Sequence, residues 1–402
     1  MDNFVFQNPT KIYFGKGSIS HLPEELQHYG KKILLTSGGG SVKRSGLYDT
    51  VLNILRAAGK EVFELSGIAS NPKLTSVLEG REICRRENID LILAVGGGSC
   101  IDGSKGIAAA TKLEGDVWEE FLKGYDLTEA VPVATILTLP ATGTEMNGNA
   151  VISRWDTLEK VPIYGPAIYP VFSILDPEYT YTVPRSQTVY GNIDIIIHAL
   201  EQYFTHTPET PVLDYLTEGL VKTMVENTYR VLKDPCDYDA RANIMFSGTV
   251  ANNHWIGVGK VHDWASHKIE HELSALYDIS HGAGLAVIYP NWMKYAMEKD
   301  PSRFVQFAEK VWDIDPAGKT DREIAMAGAD KMREFFNSIG APATLADQHI
   351  DPENIHAGGD RAVSQRKGGW SLFPPCKFRH RICCGAGGAG TAGAGVALGP
   401  SG

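Results

Sequence analysis

From Lys32 to Leu139 the chain alternates short apolar runs with amphipathic stretches, and this alternation constrains its fold more than any other feature. The runs are Ile33 to Leu35, Val62-Phe63, Leu91 to Val95 and Val133 to Leu137. Between them lie Leu47 to Ala58, Leu74 to Glu87 and Ile101 to Ala110, patterned as helices. Strand then helix, repeated, predicts a Rossmann-like α/β domain: a doubly wound, mostly parallel sheet with helices on both faces. Two of the runs lead straight into glycine clusters, Gly38-Gly39-Gly40-Ser41 and Gly96-Gly97-Gly98-Ser99, each followed by a helical pattern. In such sheets that edge is where ligands bind.

Beyond Asp176-Pro177 and Pro184 the apolar period lengthens to about 3.6, as in Leu213, Leu216, Leu220 and Met224. The second half is therefore expected to be all-helical. Thr320 with Glu323 forms a capping box that starts one helix, and Gly340 with Pro342 stops it. We place a nucleotide-binding domain at 1–184, a helical domain at 185–366 and an atypical tail at 367–402. The last eighteen residues hold 8 of the 42 glycines and no charged side chain. Cys376, His380, Cys383 and Cys384 precede them without paired zinc-ligand spacing, so a disordered or altered end is expected there rather than a metal site.

The formal charge of −10 and the lack of a long basic run argue against a nucleic-acid partner. No stretch approaches the roughly 18 apolar residues of a membrane span, and no charged leader precedes an apolar core, so we expect a cytoplasmic protein. Cys84, Cys100 and Cys236 are read as small core fillers in a reducing compartment.

A glycine turn at a strand end lets the backbone approach a pyrophosphate, and the next helix aims free N–H groups at the same anion. The spacing at Gly96 and Gly98 lacks the third glycine of the dinucleotide fingerprint, Ile101 standing in its place, and no Walker lysine follows. One such cluster is as readily a tight turn as a ligand cradle; two on one sheet favour a nucleotide. Ser37 to Arg44 contains no acid to hold a ribose 2′-hydroxyl and two bases, Lys43 and Arg44, which leans to NADP over NAD.

Five of the twelve histidines fall between His254 and His281. Upstream, Asp194 and His198 stand at i and i+4 in the apolar segment Ile193 to Leu200, on one face if the segment is helical. Alone, that pair reads as a solvent-facing acid beside a core histidine. With His267 and His281 added, one carboxylate and three imidazoles make a first shell for Zn2+ or Fe2+ and allow Lewis-acid chemistry. A rival lies in the same stretch: His267-Lys268-Ile269-Glu270-His271 fits the inverted zinc metallopeptidase pattern, with Glu270 as base. An inactive structural relative is a third alternative.

The segments Gly96 to Lys105, Leu139 to Asn147 and Asp263 to Leu273 resemble the iron-containing alcohol dehydrogenases, in particular their butanol dehydrogenase and NADPH-dependent aldehyde reductase branch. The resemblance covers about residues 1–355. It implies an enzyme of two domains with its site in the cleft between them, exchanging hydride between NADP(H) and a primary alcohol or aldehyde such as butanol or butanal. On this resemblance Asp194, His198, His267 and His281 are the metal ligands, and His271 is a catalytic proton relay. Asp102 falls in the nucleotide motif, while Thr138, Thr142 and Lys160 line the nicotinamide and phosphate path; without the resemblance, Lys160 reads as a solvated surface lysine. A closing helix expected of the family is missing after Lys367, and Asn192 with Ile195 to Ile197 looks bulky beside the ligands, which predicts an altered substrate channel. A homodimer is the default on symmetry grounds.

Overall fold

The structure is a computed structural model that describes residues 1–124 and 127–350. The readings made for 351–402, including Cys376, His380, Cys383 and Cys384, lie outside the described residues. Six parallel strands form one sheet in the order β1-β8-β5-β4-β2-β3. They are β1 (Lys11–Phe14), β2 (Lys32–Ser37), β3 (Glu61–Ser66), β4 (Leu91–Gly97), β5 (Val133–Leu139) and β8 (Phe172–Leu175). A separate antiparallel hairpin, β6 (Asn149–Arg154) and β7 (Glu159–Tyr164), is inserted between β5 and β8. The alternation predicted β2, β3, β4 and β5 of this sheet, whereas the edge strand β1, the strand β8 and the hairpin lie outside it.

The helices α1 (Leu47–Ala57), α2 (Leu74–Glu87) and α3 (Gly98–Lys112) cover the sheet's two faces. In β4, Leu91, Leu93 and Val95 join the apolar cluster with α1, while Ile92 points into the cluster with α2 and α3. Period-two alternation between two apolar layers explains why β4 is buried on both sides. The chain leaves β2 toward β3 and leaves β4 toward β5, so the order reverses between the neighbours β2 and β4. Both glycine clusters flank that reversal, where connections departing in opposite directions leave a crevice.

From Arg185 onward the chain is helical: α4 (Arg185–Tyr203), α5 (Pro211–Lys233), α6 (Tyr238–Ala251), α7 (Ala265–Tyr277), α8 (His281–Ala296), α9 (Ser302–Trp312) and α10 (Asp321–Ser338). The capping box is present at α10, with Thr320 accepting from the Glu323 N–H and Glu323 accepting from the Thr320 N–H. Helix α4 is buried on every side from Gly191 to Tyr203, so it forms the core of this half and packs against α5, α6 and α8. Full burial is what gives its few polar side chains their significance.

One expectation is corrected here. Cys84 and Cys100 are buried, but Cys236 is exposed in the turn between α5 and α6, its N–H donating to Asp234 Oδ1. The Asp234-Pro235 turn lifts it out of the helical pattern. Asn192 donates to Thr228 Oγ1 at 2.9 Å, and Ile195, Ile196 and Ile197 are buried in the apolar core of the helical half, Ile195 against Gly248. Among the described residues no helix is long and apolar enough to cross a membrane.

Candidate metal centre and cofactor crevice

Helix α4 places Asp194 and His198 one turn apart, α7 brings His267, and His281 opens α8. Asp194 Oδ1 stands 3.4 Å from His198 Nδ1, 3.6 Å from His267 Nε2 and 3.6 Å from His281 Nε2. Asp194, His267 and His281 are mutually within 4.8 Å; His198 stands at the edge of this group. Donor atoms about 2.1 Å from a shared tetrahedral cation lie about 3.4 Å from one another, so the spacing suits a metal better than direct hydrogen bonds. Asp194 Oδ1, His198 Nδ1 and His267 Nε2 are buried without a hydrogen-bond partner. Leaving three such atoms unsatisfied is costly, and a cation would satisfy all of them.

Two further carboxylates back this group. Glu201 Oε1 accepts from His267 Nδ1 at 2.9 Å and from the Ser266 hydroxyl. Glu270 accepts from His281 Nδ1 through one oxygen and from the Ser274 hydroxyl through the other, and Lys160 Nζ lies 3.8 Å from it. Asp194, Glu201, Glu270 and Lys160 all have side chains at most 6% exposed. With the imidazoles neutral, as cation ligands must be, three negative charges against the one of Lys160 leave two to be neutralised, which a divalent cation would do.

The titration behaviour reflects the same crowding. Burial works against ionisation of Asp194, yet His198 and its neighbours hold its carboxyl below the usual range. Burial pushes the His198 imidazole down to about 4, whereas at His267 the neighbouring Asp194 and Glu201 carboxylates outweigh burial and raise the ring to about 9. Burial, followed by the charge of Lys160, pushes His271 and His281 well below the ordinary imidazole value.

On the crevice side, Gly96 pairs with Leu137 and Gly97 with Leu139, which leaves Thr138 as the extra residue of a bulge. A methyl group on Gly98 would sit 2.5 Å from Thr142 Oγ1, so helix α3, with Ser99 in its first turn, can begin here only without a side chain at 98. Asp102 lies beneath: its oxygens accept from the Thr144 hydroxyl at 2.6 Å and the Val151 N–H at 3.0 Å, supporting the loop from inside. Lys105, not singled out in the sequence, is fully buried and donates to Thr144 Oγ1, the Asn147 and Asn149 carbonyls and Asn147 Oδ1. Burial lowers it to about 7.

The loop after β5 joins the two sites. Thr142 faces Gly98, its carbonyl accepts from Asn252 Nδ2 at 3.0 Å, and the neighbouring Ala141 backbone meets His198. The histidine group therefore borders the crevice at β4 and β5. Gly39 is open, a methyl group on Gly38 would meet the Ile68 carbonyl oxygen at 3.4 Å, Gly40 has a positive φ of 100°, and Ser41 starts a short helical turn with Lys43 and Arg44. Lys160, read without the resemblance as a surface lysine, is instead buried against Glu270. Glu270, held by His281 and Ser274, is not free to take a proton from water in this arrangement, which argues against the peptidase alternative.

The family model for iron-containing alcohol dehydrogenases matches residues 9–177, and the C-terminal model of the Fe-containing alcohol dehydrogenase family matches residues 188–372. The chain belongs to the iron-containing alcohol dehydrogenase family. This dehydrogenase is 47% identical over 364 residues to the probable NADH-dependent butanol dehydrogenase 1 of Bacillus subtilis, covering 90% of this chain and 94% of that one. It is 39% identical over 360 residues to the NADPH-dependent aldehyde reductase YqhD of Escherichia coli, with 89% and 92% covered. Among solved structures, NADH-dependent butanol dehydrogenase A of Thermotoga maritima superposes with a TM-score of 0.90 at 40% identity, over 95% of this chain and 98% of that one. The iron-containing alcohol dehydrogenase described here is thus an oxidoreductase acting on alcohols, of a family that uses a metal and a nicotinamide cofactor.

Proposed function

We propose that this protein reduces small aldehydes such as butanal, and oxidises the matching primary alcohols, with NADP(H) and a divalent cation held by Asp194, His198, His267 and His281. The reading also takes residues 1–184 as the nucleotide domain and 185–366 as the metal domain. The observation that carries it is Asp194 Oδ1, which faces three imidazole nitrogens at 3.4 to 3.6 Å beside the crevice. A bound cation supplies Lewis-acid polarisation of a carbonyl, and a reduced nicotinamide supplies the hydride. The chain's own groups do the rest. Gly96 and Gly97 at the end of β4 and Gly98 and Ser99 at the start of α3 present backbone N–H groups to the pyrophosphate. Thr138 and Thr142 border the nicotinamide, and Asp102 supports their loop. The imidazole of His271, its ring 5.4 Å from that of His281, passes the proton that the reduced oxygen takes up. Purified protein with metal, NADPH and butanal, followed at the nicotinamide absorbance band, tests the activity. His271→Ala is expected to lower turnover and reshape its pH profile; an unchanged profile sinks the relay.

Cofactor preference rests on the first glycine loop. Lys43 Nζ is held 4.6 Å over the Tyr48 ring, while Arg44 folds back so that its Nη1 would touch a methyl group on Gly40 at 3.4 Å. Arg44 is therefore the base that the NADP reading assigns to a 2′-phosphate. Arg44→Ala should lower the NADPH:NADH ratio of kcat/KM about tenfold, the effect of one exposed charge-assisted contact. In the unmodified protein, efficiency with NADH equal to or above that with NADPH overturns the preference. Metal identity follows from reconstitution: activity lost in air and restored by ferrous salt, not zinc, assigns Fe2+, whereas an enzyme active only with zinc assigns Zn2+.

A further inference from the structure

His267 and His281 are each backed by a buried glutamate, but the two glutamates are placed differently. Glu201 is enclosed within the helical half, shared among the His267 ring, the His267 N–H at 3.3 Å and the Ser266 hydroxyl. Glu270 instead sits where the halves meet. One oxygen takes His281 Nδ1 and the other the Ser274 hydroxyl, while Lys160 reaches it from β7 across 110 positions of sequence. The hairpin carrying Lys160 packs against α7, so an ammonium of the nucleotide half and an imidazole of the helical half contend for one carboxylate.

We propose that Glu270 is a positioning residue shared between Lys160 and His281, through which the nucleotide half tunes cation affinity in the helical half; this rests on the metal reading above. A carboxylate accepting from Nδ1–H fixes the tautomer of His281, directs the lone pair of Nε2 toward Asp194 and makes the imidazole a better donor to a cation. Lys160 acts in the opposite sense. Its ammonium draws on the same carboxylate, and its charge opposes an incoming cation in a site with little water to screen it.

The two residues therefore have effects of opposite sign, which a purely structural contact would not give. The measurement is the dissociation constant for Zn2+, from competition with a chromophoric chelator, on full-length protein stripped of metal, together with metal-free melting curves. Glu270→Gln, which keeps an oxygen acceptor but loses the charge, should weaken Zn2+ about 10- to 100-fold. Lys160→Met should tighten it at least about threefold. Unchanged affinity in Glu270→Gln, or weakened or unchanged affinity in Lys160→Met, overturns the inference. Asp194→Asn separates the two readings. If the parent protein binds Zn2+ no better than Asp194→Asn, the metal assignment itself fails. If Asp194→Asn alone loses Zn2+, only the sharing of Glu270 fails.

Discussion

Asp194→Asn should leave a folded protein that retains almost no metal, with kcat/KM lowered at least about 10³-fold. The exchange keeps the shape of the side chain and the packing of α4 but removes the charge on which three imidazole nitrogens converge. Lewis-acid stabilisation amounts to several kcal/mol, and each 1.36 kcal/mol is tenfold in rate, so a loss of about 4 kcal/mol gives the stated factor. Metal analysis of the purified variant alongside the butanal assay checks this. A variant with stoichiometric metal would remove Asp194 from the centre. The metal-free forms of parent and variant should melt within a few degrees of each other, because the apolar contacts around Ile193, Ile195 and Ile197 are untouched.

Gly282→Ala should be the most damaging single methyl group in the helical half. A Cβ there would lie 2.1 Å from the Tyr190 carbonyl oxygen and 2.9 Å from Tyr190 Cα, and backbone atoms cannot rotate aside. Helix α8 would have to back away from α4, taking His281 with it. Overpacking of this kind costs about 3 kcal/mol, and we expect the melting midpoint to fall by at least about 5 °C, with weaker metal binding. Gly219→Ala is the contrasting case. Gly219 lies exposed in α5 with nothing near its missing side chain, so alanine there should stabilise by about 0.5–1 kcal/mol. If both variants melt alike, the close approach of α8 to α4 is not what holds His281 in place.

Much of the site was legible because its signals are local. The glycine clusters follow their strands directly, and Asp194 with His198 shows helical spacing inside an apolar segment. Glu201 could have been found by the same rule, since it follows His198 by three positions on the same buried helix. Lys105 and Lys160 were not legible in this way. A lysine in a sequence reads as solvated, and what overrides that is a set of acceptors on other elements: Thr144, Asn147 and Asn149 for one, Glu270 for the other. Cys236, read as a core filler, fails for the converse reason, as the Asp234-Pro235 turn between two helices exposes it.

Sequence alone determined the central strands of the parallel sheet, the helical second half, the two glycine turns at strand ends and the residue types able to hold a divalent cation, because periodicity and turn chemistry act over a few residues. Only the tertiary structure decided that Asp194 Oδ1 is the centre of the group, that Glu270 serves His281 instead of a water molecule, and that Lys160 pairs with that glutamate. Those pairings join separate elements, and the packing of α4, α7, α8 and the β6–β7 hairpin, not any local preference, brings them within reach.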